Sequence, residues 1–223
     1  MKMISKKTLS RPFGYSSLML TLLAMEFIGP LMVDSDLEGL VLGVLVVMVA
    51  GSTIYAAGDS QFRRILLVLL AFALVVSHFM RALVDGPPWT MAYEVIGVVM
   101  FTYVSLLLLS KILSVRSDVS GELISGAVAV YLLLGAIFAY LFALVETVTP
   151  GSFLDPHTDA LNFHYYSMVT LTTLGYGDIV PVTPVARGLG AFEAVLGQLY
   201  LTVLVARLVG MHISVGMSRK SDH

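Results

Sequence analysis

The residue types best suited to binding chemistry lie in one short run of seven residues. In order, they are Thr172, Thr173, Leu174, Gly175, Tyr176, Gly177 and Asp178. A dehydrated monovalent cation needs oxygen ligands that replace its water, and uncharged backbone carbonyls also let it leave again. Gly175 and Gly177 tolerate the positive φ angles that aim successive carbonyls at one axis. The run therefore predicts a site at which backbone oxygens bind a cation.

The composition excludes an ordinary soluble domain. Of the 223 residues, 57% are hydrophobic and 13% are charged, which is about half of the charged fraction of a globular domain. The mean hydropathy is +0.90, so the chain is expected to reside in lipid. A net charge of −2 does not favour nucleic-acid binding, and the lack of cysteine excludes disulfides and thiolate sites. Since there is no nucleotide loop, metal-ligand cluster or nucleophile with a base, we expect neither an enzyme nor a cofactor.

Six stretches are long and apolar enough to cross a bilayer as helices of about 20 residues. They are Ser16–Val33, Leu40–Ala57, Ile65–Val84, Trp89–Ser110, Leu123–Val145 and Val185–Ile213. A further amphipathic stretch, Leu161–Thr172, is too short to span the membrane and predicts a re-entrant helix. The expected fold class is an all-α membrane protein with six transmembrane helices, a re-entrant helix and an extended segment at membrane depth.

The basic residues predict the orientation in the membrane. With the N-terminus inside, six basic residues of the joints and tail also fall on the cytoplasmic side: Arg63, Arg64, Lys111, Arg116, Arg219 and Lys220. Arg81 and Arg187 then lie near the outer surface. We therefore expect a multi-pass protein of the cell (inner) membrane, in contact with lipids, with both termini cytoplasmic and the long joint Glu146–Pro184 outside.

The run from Thr172 to Asp178 resembles the selectivity filter of the tetrameric potassium channels. Over Leu123–Ile213, the chain is similar to prokaryotic members with six transmembrane segments and one filter per chain. The resemblance implies a homotetramer, since four filters must meet on one axis. It implies that K⁺ binds the Thr173 hydroxyl and the carbonyls of Thr173, Leu174, Gly175 and Tyr176. It also divides the chain into a cytoplasmic N-terminus (1–15), a four-helix membrane module (16–115), a pore domain of outer helix, pore helix, filter and inner helix (116–213) and a short cytoplasmic tail (214–223).

The resemblance also assigns residues that support the filter. The family hydrogen-bonds the acidic residue after the last filter glycine, here Asp178 after Gly177, to an aromatic side chain behind it. Tyr165 is the matching partner, and many relatives have tryptophan both there and at Tyr166. Leu174 stands where Val or Ile is usual, so the departure affects the packing of the filter wall more than the ligand set.

Two more positions behind the filter concern its support. Val169 departs from the residue found in some relatives, and Glu193 is an additional candidate support. Val169 stands where some two-helix bacterial channels hold a glutamate, so that brace is absent. Glu193 lies near the depth of the filter and is expected to hydrogen-bond to Ser167 or Thr170. We expect Glu193 to stabilise the pore rather than to contact the ion.

The inner helix carries the residues expected to form a gate. Gly197 is placed where relatives have a hinge glycine, although glycine in membrane helices also permits close packing. We expect the packing role for Gly188, Gly190 and Gly210. Counting residues along the inner helix from the filter places four side chains toward the cavity or its cytoplasmic exit: Gln198, Leu201, Val205 and Val209. In this hypothesis the last two form an apolar constriction that gates by dewetting.

The four-helix module lacks the features of a voltage sensor. Its fourth span, Trp89–Ser110, has no arginine, and its single ionisable residue is Glu94. We therefore do not expect strong voltage dependence. No ligand-binding domain is expected after the inner helix, so protons, lipids, membrane tension or an unidentified regulatory partner are the candidate stimuli.

Ionisable residues inside the spans have structural roles in our prediction. Glu26 and Glu94 are expected to pair with Arg81 or His78 within the four-helix module. Arg207, near the inner end of the last span, is expected to extend to lipid headgroups.

Histidines of the outer joint are candidates for pH-dependent opening, since histidine titrates near neutrality. They are His157 and His164. The competing interpretation is that both are simply solvated.

Two alternative functions stay open. The chain is a weakly selective cation channel if Leu174 loosens the filter wall. It is a non-conducting membrane sensor or regulatory subunit if the pore is vestigial and the first four helices bind lipid or a partner. The intact run from Thr172 to Asp178 favours conduction.

Overall fold

The computed structural model describes residues 13–31, 38–57, 60–84, 86–115, 120–154 and 162–221, with the backbone alone at 211–221. These residues form seven helices and one pair of very short strands. The helices are α1 (Gly14–Leu31), α2 (Glu38–Ala57), α3 (Gln61–Leu83), α4 (Pro87–Ser114), α5 (Gly121–Val148), α6 (Asn162–Leu171) and α7 (Pro184–Ser221). The strands are β1 (Phe153–Leu154) and β2 (Val180–Pro181).

Four helices of the described residues are long and apolar enough to cross a membrane. These stretches are Gln61–Arg81, Pro87–Ser114, Gly121–Val148 and Pro184–Gly210. Two shorter apolar helices precede them, Gly14–Ile28 and Gly43–Ala56. The expectation of an all-α membrane protein is confirmed at this level.

Local sequence explains where the helices begin. Ser60 and Ser120 are N-caps whose side chains accept from the backbone N–H three residues on, which satisfies a donor that the first turn leaves free. Pro87 opens α4, where the missing N–H of proline costs nothing. The predicted fourth joint, Lys111–Glu122, is shorter in the structure, because α4 continues to Ser114 and α5 starts at Gly121.

The main core lies where α4 packs along α5 and where α1 packs against α2 and α5. Its largest fully buried side chains are apolar and come from five of the helices. They include Leu18, Val49, Leu67, Leu74, Met100, Phe101, Leu108 and Leu133. Large apolar side chains on the opposite faces, such as Phe62 and Phe72 of α3, are exposed. This is the pattern expected where lipid is the solvent.

The strand pair was not predicted from the sequence. Phe153 pairs with Pro181 and Leu154 with Val180 in antiparallel register, and Val182 N–H donates to the Ser152 carbonyl at 2.9 Å. Strands of two residues are too short to produce an alternating pattern. The pair joins the segment after α5 to the segment before α7.

The predicted partner is wrong for Glu26, whereas Glu94 interacts electrostatically with Arg81 but takes its hydrogen bond from another residue. Glu26 contacts His164 of α6, with Oε1 3.3 Å from Nδ1. Glu94 accepts a hydrogen bond from the Thr147 hydroxyl of α5 at 2.8 Å, whereas the Arg81 guanidinium lies over the ring of Tyr93, 4.3 Å from its centroid. The sequence places these residues at similar depths, but only the helix packing decides which faces meet. His157 lies outside the described residues.

Candidate functional site

The backbone of the run after α6 has positive φ at every second residue. The φ angles are 62° at Thr173, 60° at Gly175 and 77° at Gly177. The predicted positive φ of both glycines is confirmed. Thr173 was not predicted to share it, because a β-branched residue strongly disfavours this conformation. The alternation rotates successive peptide groups relative to one another.

The N–H groups of the run point back to the last turn of α6. Thr172 N–H donates to the Met168 carbonyl at 3.0 Å, and Thr173 N–H to Thr170 at 3.0 Å. Val169 O accepts from the next two N–H groups, at 2.9 and 3.3 Å. Among the hydrogen bonds of the described residues, none is accepted by the carbonyls of 173–176. Those oxygens are therefore left for another ligand.

Tyr165 and Asp178 meet beside the run, which confirms the predicted contact. The Tyr165 hydroxyl donates to Asp178 Oδ2 at 2.6 Å, and Ile179 N–H donates to Oδ1 at 3.0 Å. The Tyr165 ring also stacks on Tyr176, with 6.4 Å between centroids and 6° between planes. The hydrogen bond from Tyr165 lowers the pKa of Asp178. The same bond raises the pKa of Tyr165 to about 12.

Tyr166 supports α6 from behind rather than the run itself. Its ring packs edge-on against Phe142 and Phe153, with centroids 4.9 and 5.5 Å apart. The three rings belong to a buried cluster with Phe138, Ile179 and Ala186. This second core fixes α6 against α5 and the strand pair.

Side chains of the run face away from the core of the single chain. Leu174 is 56% exposed and Tyr176 is 66% exposed, whereas Val169 of α6 is buried. Leu174 was expected to pack outward in the filter wall. Among the described residues of the single chain, no such wall covers most of the Leu174 side chain, so this packing stays a prediction.

Glu193 of α7 lies behind α6, as predicted. It is fully buried, and the Ser167 hydroxyl bonds to its Oε1. The partner is thus Ser167, the first of the two expected candidates. The Ser167 Oγ also lies 2.7 Å from the Gly135 carbonyl of α5. One serine therefore links α5, α6 and α7.

Gly197 lets α7 approach the end of α6. A Cβ there would lie 2.5 Å from the Leu171 carbonyl oxygen, which favours the packing role, and α7 is continuous through this position. Gly190 also packs closely, since its Cβ would lie 2.9 Å from the Tyr166 hydroxyl. At Gly188 and Gly210, nothing in the described part of the chain lies within 4 Å of a Cβ, so the packing expected there stays a prediction.

One face of α7 carries the four predicted cavity residues at helical spacing. Gln198, Val205 and Val209 are exposed and Leu201 is partly exposed in the single chain. The face is thus open to a cavity or a neighbouring chain.

Arg207 has partners within the chain that the sequence did not predict. Its guanidinium donates to the carbonyls of Ile112, Leu113 and Val115, at 2.8, 2.9 and 2.8 Å. These carbonyls lie at the end of α4, where helix carbonyls run out of N–H donors from a following turn, and that of Ile112 also accepts from the Val115 N–H at 3.3 Å. Sequence could have suggested this pairing only by weighing the end of α4 as an acceptor.

The chemistry of the site is that of neutral oxygen ligands. Within the described ranges, no three His, Asp or Glu side chains are placed to hold a metal ion. The carbonyls of 173–176 and the Thr173 hydroxyl are hard ligands without formal charge. Such ligands suit a monovalent cation that binds briefly and leaves.

Comparison with known proteins identifies this region. Residues 126–213 match the family described as ion channel. A voltage-gated potassium channel of Aeropyrum pernix is 35% identical over 106 residues, 46% of this chain and 34% of that protein. The inward rectifier potassium channel Kirbac3.1 of Paramagnetospirillum magnetotacticum is 36% identical over 96 residues, 41% of this chain and 29% of that protein. Protein LctB of Geobacillus stearothermophilus is 33% identical over 89 residues, 40% and 63% of the two chains.

The chain thus spans about a third of the length of these two potassium channels. No solved structure gives a significant match. The matched family is one of channels and not of enzymes, which agrees with the expectation for this part of the chain. Through residues 126–213, the chain is thus similar to ion channels, and two of its relatives are named as potassium channels.

Proposed function

We propose that the chain is one subunit of a potassium-selective channel that conducts K⁺ passively across the membrane. The observation that carries the proposal is the alternation of positive φ at Thr173, Gly175 and Gly177. Together with N–H groups that are bound to α6, it leaves a column of carbonyl oxygens for a cation. Two of the relatives are named as potassium channels.

The proposed ion sites use the carbonyls of Thr173, Leu174, Gly175 and Tyr176 and the hydroxyl of Thr173. Oxygens from one chain cannot surround an ion, so four copies are needed around one axis. The exposure of Leu174 and Tyr176 in the single chain supports this homotetramer. In the assembly, these side chains would pack against α6 or the run of a neighbouring subunit.

We further propose that α1 and α2 also cross the membrane, which gives six spans in all. Residues 16–115 then form the four-helix module, and residues 116–213 form the pore domain: outer helix α5, pore helix α6, filter and inner helix α7. Residues 1–15 and 214–223 lie in the cytoplasm, and the protein resides in the cell (inner) membrane among lipids.

The gate proposed for this channel lies on α7. The exposed side chains of Val205 and Val209 narrow the cytoplasmic exit in the tetramer and close it by dewetting. Gln198 and Leu201 line the cavity above them. Gly197 combines close packing on α6 with a possible bend of α7 at the same point.

Flux into liposomes tests the proposal. The purified full chain should admit K⁺ in preference to Na⁺, and Gly175→Ala should abolish flux because alanine is strained at a φ of 60°. The matched control is Gly51→Ala on α2, where a Cβ meets nothing within 4 Å. Native mass measurement should give four chains for all three proteins.

The other outcomes select the alternatives. Equal flux of K⁺ and Na⁺ would indicate a weakly selective cation channel. A tetramer without flux of either ion would indicate a membrane sensor or regulatory subunit. A particle that is not fourfold would contradict the proposed ion sites.

A further inference from the structure

One ion pair joins the first helix to the pore helix. His164, the third residue of α6, has its Nδ1 3.3 Å from Oε1 of Glu26 in α1. The two residues are 138 positions apart in the chain, and their side chains are 18% and 13% exposed. Because α6 leads directly into the run from Thr172 to Asp178, this contact ties the four-helix module to the filter.

Titratable groups from three further helices surround the pair. The Tyr140 ring of α5 meets the His164 ring edge-on, with centroids 5.8 Å apart. The Tyr140 hydroxyl donates to that of Tyr93 in α4 at 2.8 Å, and Arg81 of α3 lies over the Tyr93 ring. Glu94 of α4 accepts from a threonine of α5. Two tyrosine rings thus lie between His164 and Arg81.

The remaining titratable groups close to α6 have partners of their own. Tyr165 of α6 donates to Asp178. Glu193, on α7, bonds to Ser167. Among the described residues, Glu26 is the carboxylate within ion-pair distance of His164.

The strength of this contact depends on the charge of the histidine ring. Histidine side chains ordinarily change charge between pH 5 and 8. A neutral ring offers a carboxylate a single ordinary hydrogen bond, whereas a protonated ring forms a charge-assisted bond that is roughly twice as strong. Burial of the pair limits screening by salt.

We propose that Glu26 and His164 form a proton-sensitive tether between the four-helix module and the pore helix. Acidification charges His164 and tightens the tether, which holds α6 and steadies the filter. Rising pH removes the charge from the histidine ring and loosens the tether. The effect on flux rests on the proposed channel function, whereas the tether itself does not.

A double-mutant cycle tests the tether without any transport. The full chain in lipid nanodiscs, with Glu26→Gln, His164→Gln and the double variant, is unfolded by heat at pH 5.5 and 8.5. At pH 5.5 each single variant should lower Tm by a few degrees and the double variant no further. At pH 8.5 these losses should be at most half as large. His212→Gln, which removes a histidine near the other end of the fold, controls for loss of a histidine. Additive losses, or equal losses at both pH values, would overturn the tether.

Flux in liposomes with the same pH on both faces tests its consequence. Wild-type K⁺ flux should be about fivefold greater at pH 5.5 than at 8.5, the change expected for about 1 kcal/mol. His164→Gln should remove this ratio, and His164→Lys, permanently charged, should keep flux high at both values. A wild-type ratio that survives in His164→Gln would overturn the regulatory role. Coupling in the unfolding cycle with no wild-type flux would contradict the channel and leave the tether standing.

Discussion

Tyr165 holds the end of the filter by a single hydroxyl. Its bond to Asp178 is 2.6 Å long, and its ring stacks on Tyr176. Tyr165→Phe keeps the ring and removes the donor, so we expect K⁺ flux to fall roughly fivefold, the effect of about 1 kcal/mol. Tyr103→Phe on α4, remote from the filter, is the control for loss of a hydroxyl. Unchanged flux in Tyr165→Phe would show that stacking alone suffices.

The same bond should be insensitive to pH across the neutral range. The pKa of Asp178 is lowered, so its carboxylate persists above the ordinary value of about 3.9 and is lost only when pH falls through the lowered pKa. The pKa of Tyr165 is raised to about 12, so its proton is lost only as pH rises through that value. The flux ratio between pH 5.5 and 8.5 should therefore be the same in Tyr165→Phe as in the wild type. A changed ratio would place pH sensitivity at the filter itself.

At this scale, the sequence predicted the residues whose role follows from backbone chemistry. Gly175 and Gly177 were expected to have positive φ because successive carbonyls must point to one axis, whereas the contact of Tyr165 with Asp178 was implied by the family resemblance. The positive φ of Thr173 was not predicted, because its β-branched side chain disfavours this angle. The angle accompanies the hydrogen bonds between the run and the carbonyls of α6. The partner of Glu26 was also missed, because it depends on how two distant helices pack.

Between elements, α7 approaches the backbone at the end of α6 closely. Gly197→Ala would place a methyl group 2.5 Å from the Leu171 carbonyl oxygen, which is backbone and cannot easily move. We therefore expect a lower Tm and a lower K⁺ flux. In Gly210→Ala, which meets nothing within 4 Å, Tm should be unchanged or slightly higher. A loss of flux at unchanged Tm would instead indicate that Gly197 acts as a hinge.

The cytoplasmic end of α7 is bound to the end of α4 by Arg207. Arg207→Gln removes a charged donor from three carbonyls, so we expect the free energy of unfolding to fall by about 2 kcal/mol. Arg207→Lys should recover only part of this, because an ammonium lacks the planar fork of the guanidinium. The exposed Arg187→Gln is the matched control. Thermal unfolding that does not distinguish Arg207→Gln from Arg187→Gln would contradict this linkage.

Helix positions were predictable from apolar length alone, and capping residues such as Ser120 explain the boundaries. The pairing of β1 with β2 was not predictable, because strands of two residues are too short to show an alternating pattern. The hydrogen-bond partners of the Arg207 guanidinium were not predictable either. A lone arginine near a helix end fits lipid headgroups and carbonyls equally well, and the choice depends on where α4 ends.

For the whole molecule, we expect weak dependence on membrane potential. One charge that crosses 100 mV contributes about 2.3 kcal/mol, an open-probability change of about fifty-fold. Helix α4 has no arginine, and its basic residue, Lys111, lies in its last turn. Single-channel recording in planar bilayers between −100 and +100 mV should therefore show a much smaller change. A steep rise in open probability would identify moving charges elsewhere in the module.

The strand pair has a consequence for how the ion pathway can be altered. Strand β1 follows α5 directly and β2 precedes α7. The chain therefore leaves α5 and returns to α7 at the same pair of hydrogen-bonded strands. The stretch between the two strands, which includes α6 and the run from Thr172 to Asp178, thus begins and ends at this bonded pair. Grafting the corresponding stretch of a relative between Leu154 and Val180 should change the permeant ion while the surrounding helices keep their arrangement.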